Sequence, residues 1–181
     1  MAPNRLLSHE NSVKGEHMRA LSDIPTEGCV SLDETVQLYQ NFIRTFTSNE
    51  VREQALTDRT LALAILGAVE KILPLLNAAK FTYFNTNRYP SLDREKHAQS
   101  SSLVCAKSTV TVGRHALNEE ESDLIARNVI KSLALRLGRE TTNLKHWLDQ
   151  NSGLGERETF KTDEVEQMLS QIWTLVAAMR E

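Results

Sequence analysis

Cysteine is nearly missing from this chain of 181 residues, which holds two, Cys29 and Cys105. Two distant thiols build neither a disulfide framework nor a cysteine-based metal cluster, and they point to a reducing compartment. Glycine and proline are also few, with seven and four, and aromatics make up 6%. That scarcity, beside abundant Leu, Ala and Glu, favours helices over strands. No sign of charge dominates: the net charge is −3. No Lys/Arg run forms a nucleic-acid footprint. The first twenty residues lack the apolar stretch of a signal peptide. The most apolar run, "LALAILGAVEKILPLLNAA", is interrupted by Glu70, Lys71 and Pro74. It reads as too short and too charged to span a bilayer, and so as a core helix.

Familiar catalytic patterns are missing too. The histidines are His9, His17, His97, His115 and His146, and no two stand at i and i+4 around a glutamate. His146, beside Trp147, reads as a surface or packing residue. Cys105 with His97 or His115 lacks an orienting third group. The glycines at 67, 113, 138, 153 and 155 do not form a phosphate loop. "LDRE" at 92–95 falls in a linker, and "NEEESD" at 118–123 is accounted for by helix capping, so no metal cage is read from either. "FTYFNTNRY" at 81–89 follows a buried helix and reads as packing in place of base stacking. The expectation is no catalytic residue, no metal and no cofactor.

What is present is helical pattern. Residues 1–30 are polar and aperiodic and read as a disordered tail. "SLDE" at 31–34 is a capping box, with Ser31 as N-cap and Glu34 reaching back. Val36, Tyr39, Phe42, Ile43 and Phe46 follow on one helical face, and Ser48 and Asn49 favour its end. A second helix over 58–80 is apolar nearly all round and therefore central. Within it Gly67 lets a neighbour approach, and Pro74 should kink the axis. Residues 84–107 are polar and Ser-rich, with Pro90, and read as a linker. "STVTV" at 108–112 looks extended but has no evident sheet partner, so it should lie against the helices, ending at Gly113.

Asn118 then caps a long helix, with Glu121 three residues on and Glu119, Glu120 and Asp123 in the first turn, where negative charge suits the dipole. Val129, Ile130, Leu133, Leu137, Leu144, Trp147 and Leu148 form a stripe, and Ile130, Leu137 and Leu144 repeat every seven residues, as in a coiled-coil seam. Gly138 marks a kink or a small-residue contact. "NSGLGE" stops this helix. The last helix starts near Thr162 and carries Val165, Met168, Leu169, Ile172, Leu175, Val176 and Met179 on one face, with Trp173 beside it. The reading is all-α: a bundle of about four main helices spanning 31–181, with an internal linker at about 84–107. Both late seams carry more apolar bulk than a thin bundle covers. Ile130, Leu133, Leu137, Leu144 and Trp147 are therefore the candidate partner-binding residues.

These same segments resemble the C-terminal regulatory region of fungal aflatoxin-regulatory-type transcription factors. The resemblance rests on Lys71, Ile72 and Leu73 closing an apolar helix. It continues through Val110, Val112, Gly113 and Leu117, then the acidic Glu119, Glu120 and Glu121, then Ile130, Leu133 and Leu137. It covers roughly residues 35–150. It implies a nuclear regulator of secondary metabolism that acts through a protein partner: a zinc-cluster regulator, a co-activator or a second copy. Members of that family contact DNA through a six-cysteine zinc cluster, and two cysteines cannot build one. Direct specific DNA binding is therefore not expected, nor is membrane association. Outside the resemblance the localisation would be cytoplasmic. Two other readings stand beside it: a small helical enzyme or metabolite-binding protein of a biosynthetic pathway, and a plain helical scaffold.

Overall fold

A computed structural model describes residues 24–49, 51, 53, 55, 59–84, 102–151 and 162–179. The chain is mainly helical, with four helices among the described residues: α1 (Leu32–Phe46), α2 (Arg59–Phe84), α3 (Glu119–Asn151) and α4 (Thr162–Ala177). Four very short strands accompany them: β1 (Gly28–Ser31), β2 (Leu103–Ala106), β3 (Thr111–Val112) and β4 (His115–Ala116).

Helix α1 starts where its capping box dictates. The Ser31 amide donates to Glu34 Oε2 at 2.8 Å, and the Glu34 amide donates to Ser31 Oγ at 3.2 Å. Two otherwise orphaned amides are thus satisfied. The buried face is Leu32, Thr35, Tyr39, Phe42, Ile43 and Phe46, with the Phe42 and Phe46 rings stacked at 5.4 Å between centroids. Thr47 is the C-cap, one residue before the expected break.

Helix α2 is central because its surface is apolar on nearly every side, and α1, α3, α4 and β2 all pack on it. Leu61, Ile65, Val69, Ile72, Leu75 and Leu76 are fully buried. Each such side chain contributes about 1.5–3 kcal/mol of transfer free energy. The helix continues unbroken through Pro74, which is exposed, as is Glu70. Water can therefore satisfy the carbonyl that proline leaves without its amide partner. At 26 residues α2 is longer than the sequence suggested, and its Thr60–Phe84 stretch is long and apolar enough to cross a membrane by length and composition. More than half of that apolar window is buried inside this chain. Gly67 is not a close-approach site, since an added Cβ there would meet nothing within 4 Å.

The expected tail and linker boundaries need correction. Ile24 is buried, and β1 pairs in parallel with β2, in register from Gly28↔Leu103 to Ser31↔Ala106. The ladder thus takes its strands from the last residues of the supposed tail and of the supposed linker. Parallel strands require a long crossover, and α1 and α2 supply it. Val30, Leu103 and Cys105 face the core, while Cys29 and Val104 face outward. Thr82 Oγ1 on α2 donates to the Cys105 carbonyl at 2.9 Å, covering the outer edge of β2. The rest of the tail (1–23) and of the linker (85–101) lies outside the described residues.

"STVTV" is corrected as well. Thr111–Val112 does have a partner, His115–Ala116, across the two-residue loop Gly113–Arg114. Gly113 takes φ +64°, the glycine-favouring geometry of a tight hairpin turn. Thr111 and Val112 are exposed, so the hairpin stands off the helices and does not lie against them.

Candidate interaction surface

The end of α2, the β2–β3 connection and the start of α3 are tied together by polar contacts. The Ser108 amide donates to the Tyr83 hydroxyl at 2.8 Å, and Arg127 Nε donates to the Tyr83 carbonyl at 2.7 Å. The Arg127 guanidinium lies 5.9 Å from the Phe84 ring centroid. Burial pushes the Tyr83 phenol up, against the Ser108 amide, which pulls it down. Lys107 reaches Glu119 and Asp123 at 2.9 Å each, and the hydrogen bond to Asp123, then that to Glu119, raises its pKa. Asn118 and Glu121 form the expected reciprocal cap: the Glu121 amide donates to Asn118 Oδ1 at 2.9 Å, and the Asn118 amide to Glu121 Oε2 at 3.1 Å.

From this anchor α3 runs antiparallel to α4. Lys145 pairs with Glu166, and Gly138 faces Trp173. Both contacts are spaced seven residues apart on each helix, so the two helices keep one register over two turns. A Cβ built on Gly138 would lie 3.1 Å from Trp173 Cζ2 and 3.2 Å from Ile172 Cγ2. Of the two roles expected for Gly138, the small-residue contact is the one present.

The residues expected to bind a partner are placed differently from one another. Ile130, Leu137 and Leu144 are buried core, and Leu133 and Trp147 are half-buried against that core. The seven-residue seam is filled by the chain's own helices, since α1, α2 and α4 all contact α3. It offers no open groove. On α3 and α4 the large apolar side chains left outside are others: Leu124 is 61% exposed, Leu135 38% and Trp173 44%, with Ile125 at the margin; Leu63 and Phe81 of α2 and Val104 and Val112 of the strands are exposed elsewhere. The signal for them was present in the sequence. Leu124 and Leu135 stand eleven residues apart, three helical turns, on the side of α3 away from Ile130.

The thiols and histidines are scattered. Cys105 is buried, its Sγ against the Ala106 carbonyl at 3.6 Å, and burial pushes its thiol up to about 11. A thiol held protonated is a poor nucleophile. Cys29 and His115 are exposed on different ladders, and His97 is outside the described residues. Among the described residues no group of three or more His, Cys, Asp or Glu side chains could hold a metal ion. The hydroxyls of Tyr39, Ser122 and Thr141 are buried without a hydrogen-bond partner among the described residues. Burial pushes the Tyr39 phenol strongly up, while the Arg136 charge on α3 pulls it down and that of Glu140 pushes it up.

Comparison of the chain with protein-family models, with curated proteins and with solved structures gives no match.

Proposed function

We propose that this chain is a transcription-regulator-like effector module that works by binding other proteins, in the manner of the C-terminal region of aflatoxin-regulatory-type zinc-cluster factors. On this reading its four helices act as one bundle, carried to the nucleus, and it serves the control of a fungal secondary-metabolite gene cluster. The partner is a zinc-cluster regulator, a co-activator or a second copy, and the partner supplies specific contact with DNA. The observation that carries the reading is the exposure of Leu124, Leu135 and Trp173 on the paired helices α3 and α4. Large apolar side chains left in water on two neighbouring helices support a surface that another protein covers.

One feature favours the second reading, a helical enzyme or metabolite-binding protein. Tyr39 and Thr141 each bury a hydroxyl with no partner among the described residues, and buried hydroxyls without partners are costly unless something satisfies them.

Tethering separates the two. The full chain fused to an unrelated DNA-binding domain should change expression of a reporter carrying that domain's site, relative to the domain alone. An unchanged reporter, with the fusion expressed and folded, removes the regulatory reading.

A further inference from the structure

The charge distribution around Leu135 and Trp173 is one-sided. Between Leu124 and Arg139 the sequence carries Arg127, Lys131, Arg136 and Arg139 and no carboxylate. The facing segment of α4, from Gln167 to Ala177, carries no charge at all. This lies within a chain whose net charge is −3. Arg127 is engaged with Tyr83 and Phe84, but Lys131, Arg136 and Arg139 form no ion pair among the described residues.

Two of these cations, Lys131 and Arg139, share one face with the exposed leucines. Leu124, Asn128, Lys131, Leu135 and Arg139 fall at i, i+4, i+7, i+11 and i+15, a single stripe along α3. The core residues Ala126, Ile130, Leu137 and Thr141 lie on the other side. From Leu124 to Leu135 the stripe is about 16 Å long. Trp173 enters beside it from α4, its six-membered ring against Gly138, which stands one turn beyond Leu135. The result is a strip with Leu124 at one end and Leu135 and Trp173 towards the other, carrying Lys131 and Arg139, which form no ion pair among the described residues.

We infer that this strip docks an acidic amphipathic helix of a partner protein: an apolar edge on Leu124, Leu135 and Trp173, and carboxylates on Lys131 and Arg139. The inference rests on the protein-binding reading above and adds the partner's chemistry. Complementary charge specifies which helix docks and speeds its encounter, while the apolar anchors hold it. The strip's length matches a partner helix of about three turns.

The test uses the full chain and a fluorescein-labelled synthetic helix with leucines along one face and glutamates elsewhere, followed by anisotropy. Its control carries lysine in place of every glutamate. Saturable binding of the Glu helix alone, weakened by salt, is expected. Leu135→Ser and Arg139→Glu should each weaken it by about tenfold, the scale of one lost interface anchor. Arg44→Glu, on the exposed side of α1, should leave it unchanged. Far-UV circular dichroism of each variant checks that the fold is intact. Equal binding of the Lys helix, no binding of either, or binding indifferent to Leu135 and Arg139 overturns the proposal. So does tighter, variant-sensitive binding of phosphatidylserine vesicles or duplex DNA, because the surface would then be an anion platform and not a helix dock. If the tethered reporter responds but the Glu helix does not bind, the partner chemistry fails and the wider reading stands. If the reporter is silent and the helix binds, the reverse holds.

Discussion

Replacing Gly138 by leucine attacks the closest approach of α3 and α4. Carbon atoms in good contact sit about 3.5–4.0 Å apart. A Cβ at 138 would already lie 3.1 Å from Trp173 Cζ2 and 3.2 Å from both Trp173 Cη2 and Ile172 Cγ2. Alanine therefore requires a shift of a few tenths of an ångström. Trp173 is half out of the core and can provide it, whereas Ile172 is fully buried. Alanine also gains about 0.8–1 kcal/mol of helix propensity over glycine, so Gly138→Ala should be close to neutral. Leucine adds three more carbons, which must displace the indole or push the helices apart. Overpacking of that kind costs about 1–3 kcal/mol, and the propensity gain offsets part of it, leaving a net loss of about 1–2 kcal/mol. With a urea m-value of about 1–3 kcal/mol/M, the unfolding midpoint should fall by about 0.3–2 M. Urea titration followed by circular dichroism measures this. Emission of Trp173 in a Trp147→Phe background should shift to the red as the ring leaves Gly138. A Gly138→Leu protein with an unchanged midpoint and unchanged Trp173 emission would refute the close packing.

Three further expectations are open to simpler checks. Ile72→Asp places a charge at the centre of α2, and the loss of about 3–5 kcal/mol from a total near 5–15 should leave the chain unfolded or aggregated, as read by circular dichroism and gel filtration; a cooperative, soluble variant would contradict the central position of α2. Ser31→Ala and Asn118→Ala each remove an N-cap, so each should lower stability by about 0.5–2 kcal/mol in urea titration, and no change would mean the capping contacts contribute nothing. A disulfide reagent at mildly alkaline pH should label Cys29 quickly and Cys105 only on unfolding. Because burial raises the folded Cys105 thiol above its usual value of 9.0 to about 11, its stabilising contribution is complete below pH 9 and is lost as pH rises through 11. Cys105→Ala should therefore flatten the alkaline limb of the stability–pH curve, and an unaltered limb would contradict that assignment.

What could be read without the structure was local chemistry. Ser31 with Glu34 and Asn118 with Glu121 place two helix starts, because a capping box needs only four consecutive residues. The all-round apolar α2 declares its central place in the same way. The β1–β2 ladder was hidden because "GCVS" and "LVCA" are four residues each and lie more than seventy residues apart. Pairing at such separation leaves no periodic trace in a run so short. The Val112 hairpin was hidden for a related reason, since its second strand is only His115–Ala116. The partner surface illustrates a different limit. A seven-residue repeat of Ile130, Leu137 and Leu144 tells which residues share a face of α3, not what covers that face, and here α1, α2 and α4 pack around the helix. The residues left in water are those out of step with the repeat, Leu124 and Leu135, and Trp173 at the margin of its own apolar face.

The most direct test of the central claim is the tethered reporter read with the surface altered and the fold intact. Full-length fusions of the native chain and of Leu135→Ser/Arg139→Glu would be compared at equal expression, with circular dichroism and urea titration showing the same stability for both. The native fusion should give a reporter response that the double variant loses. A response of the same size from both fusions would contradict the claim.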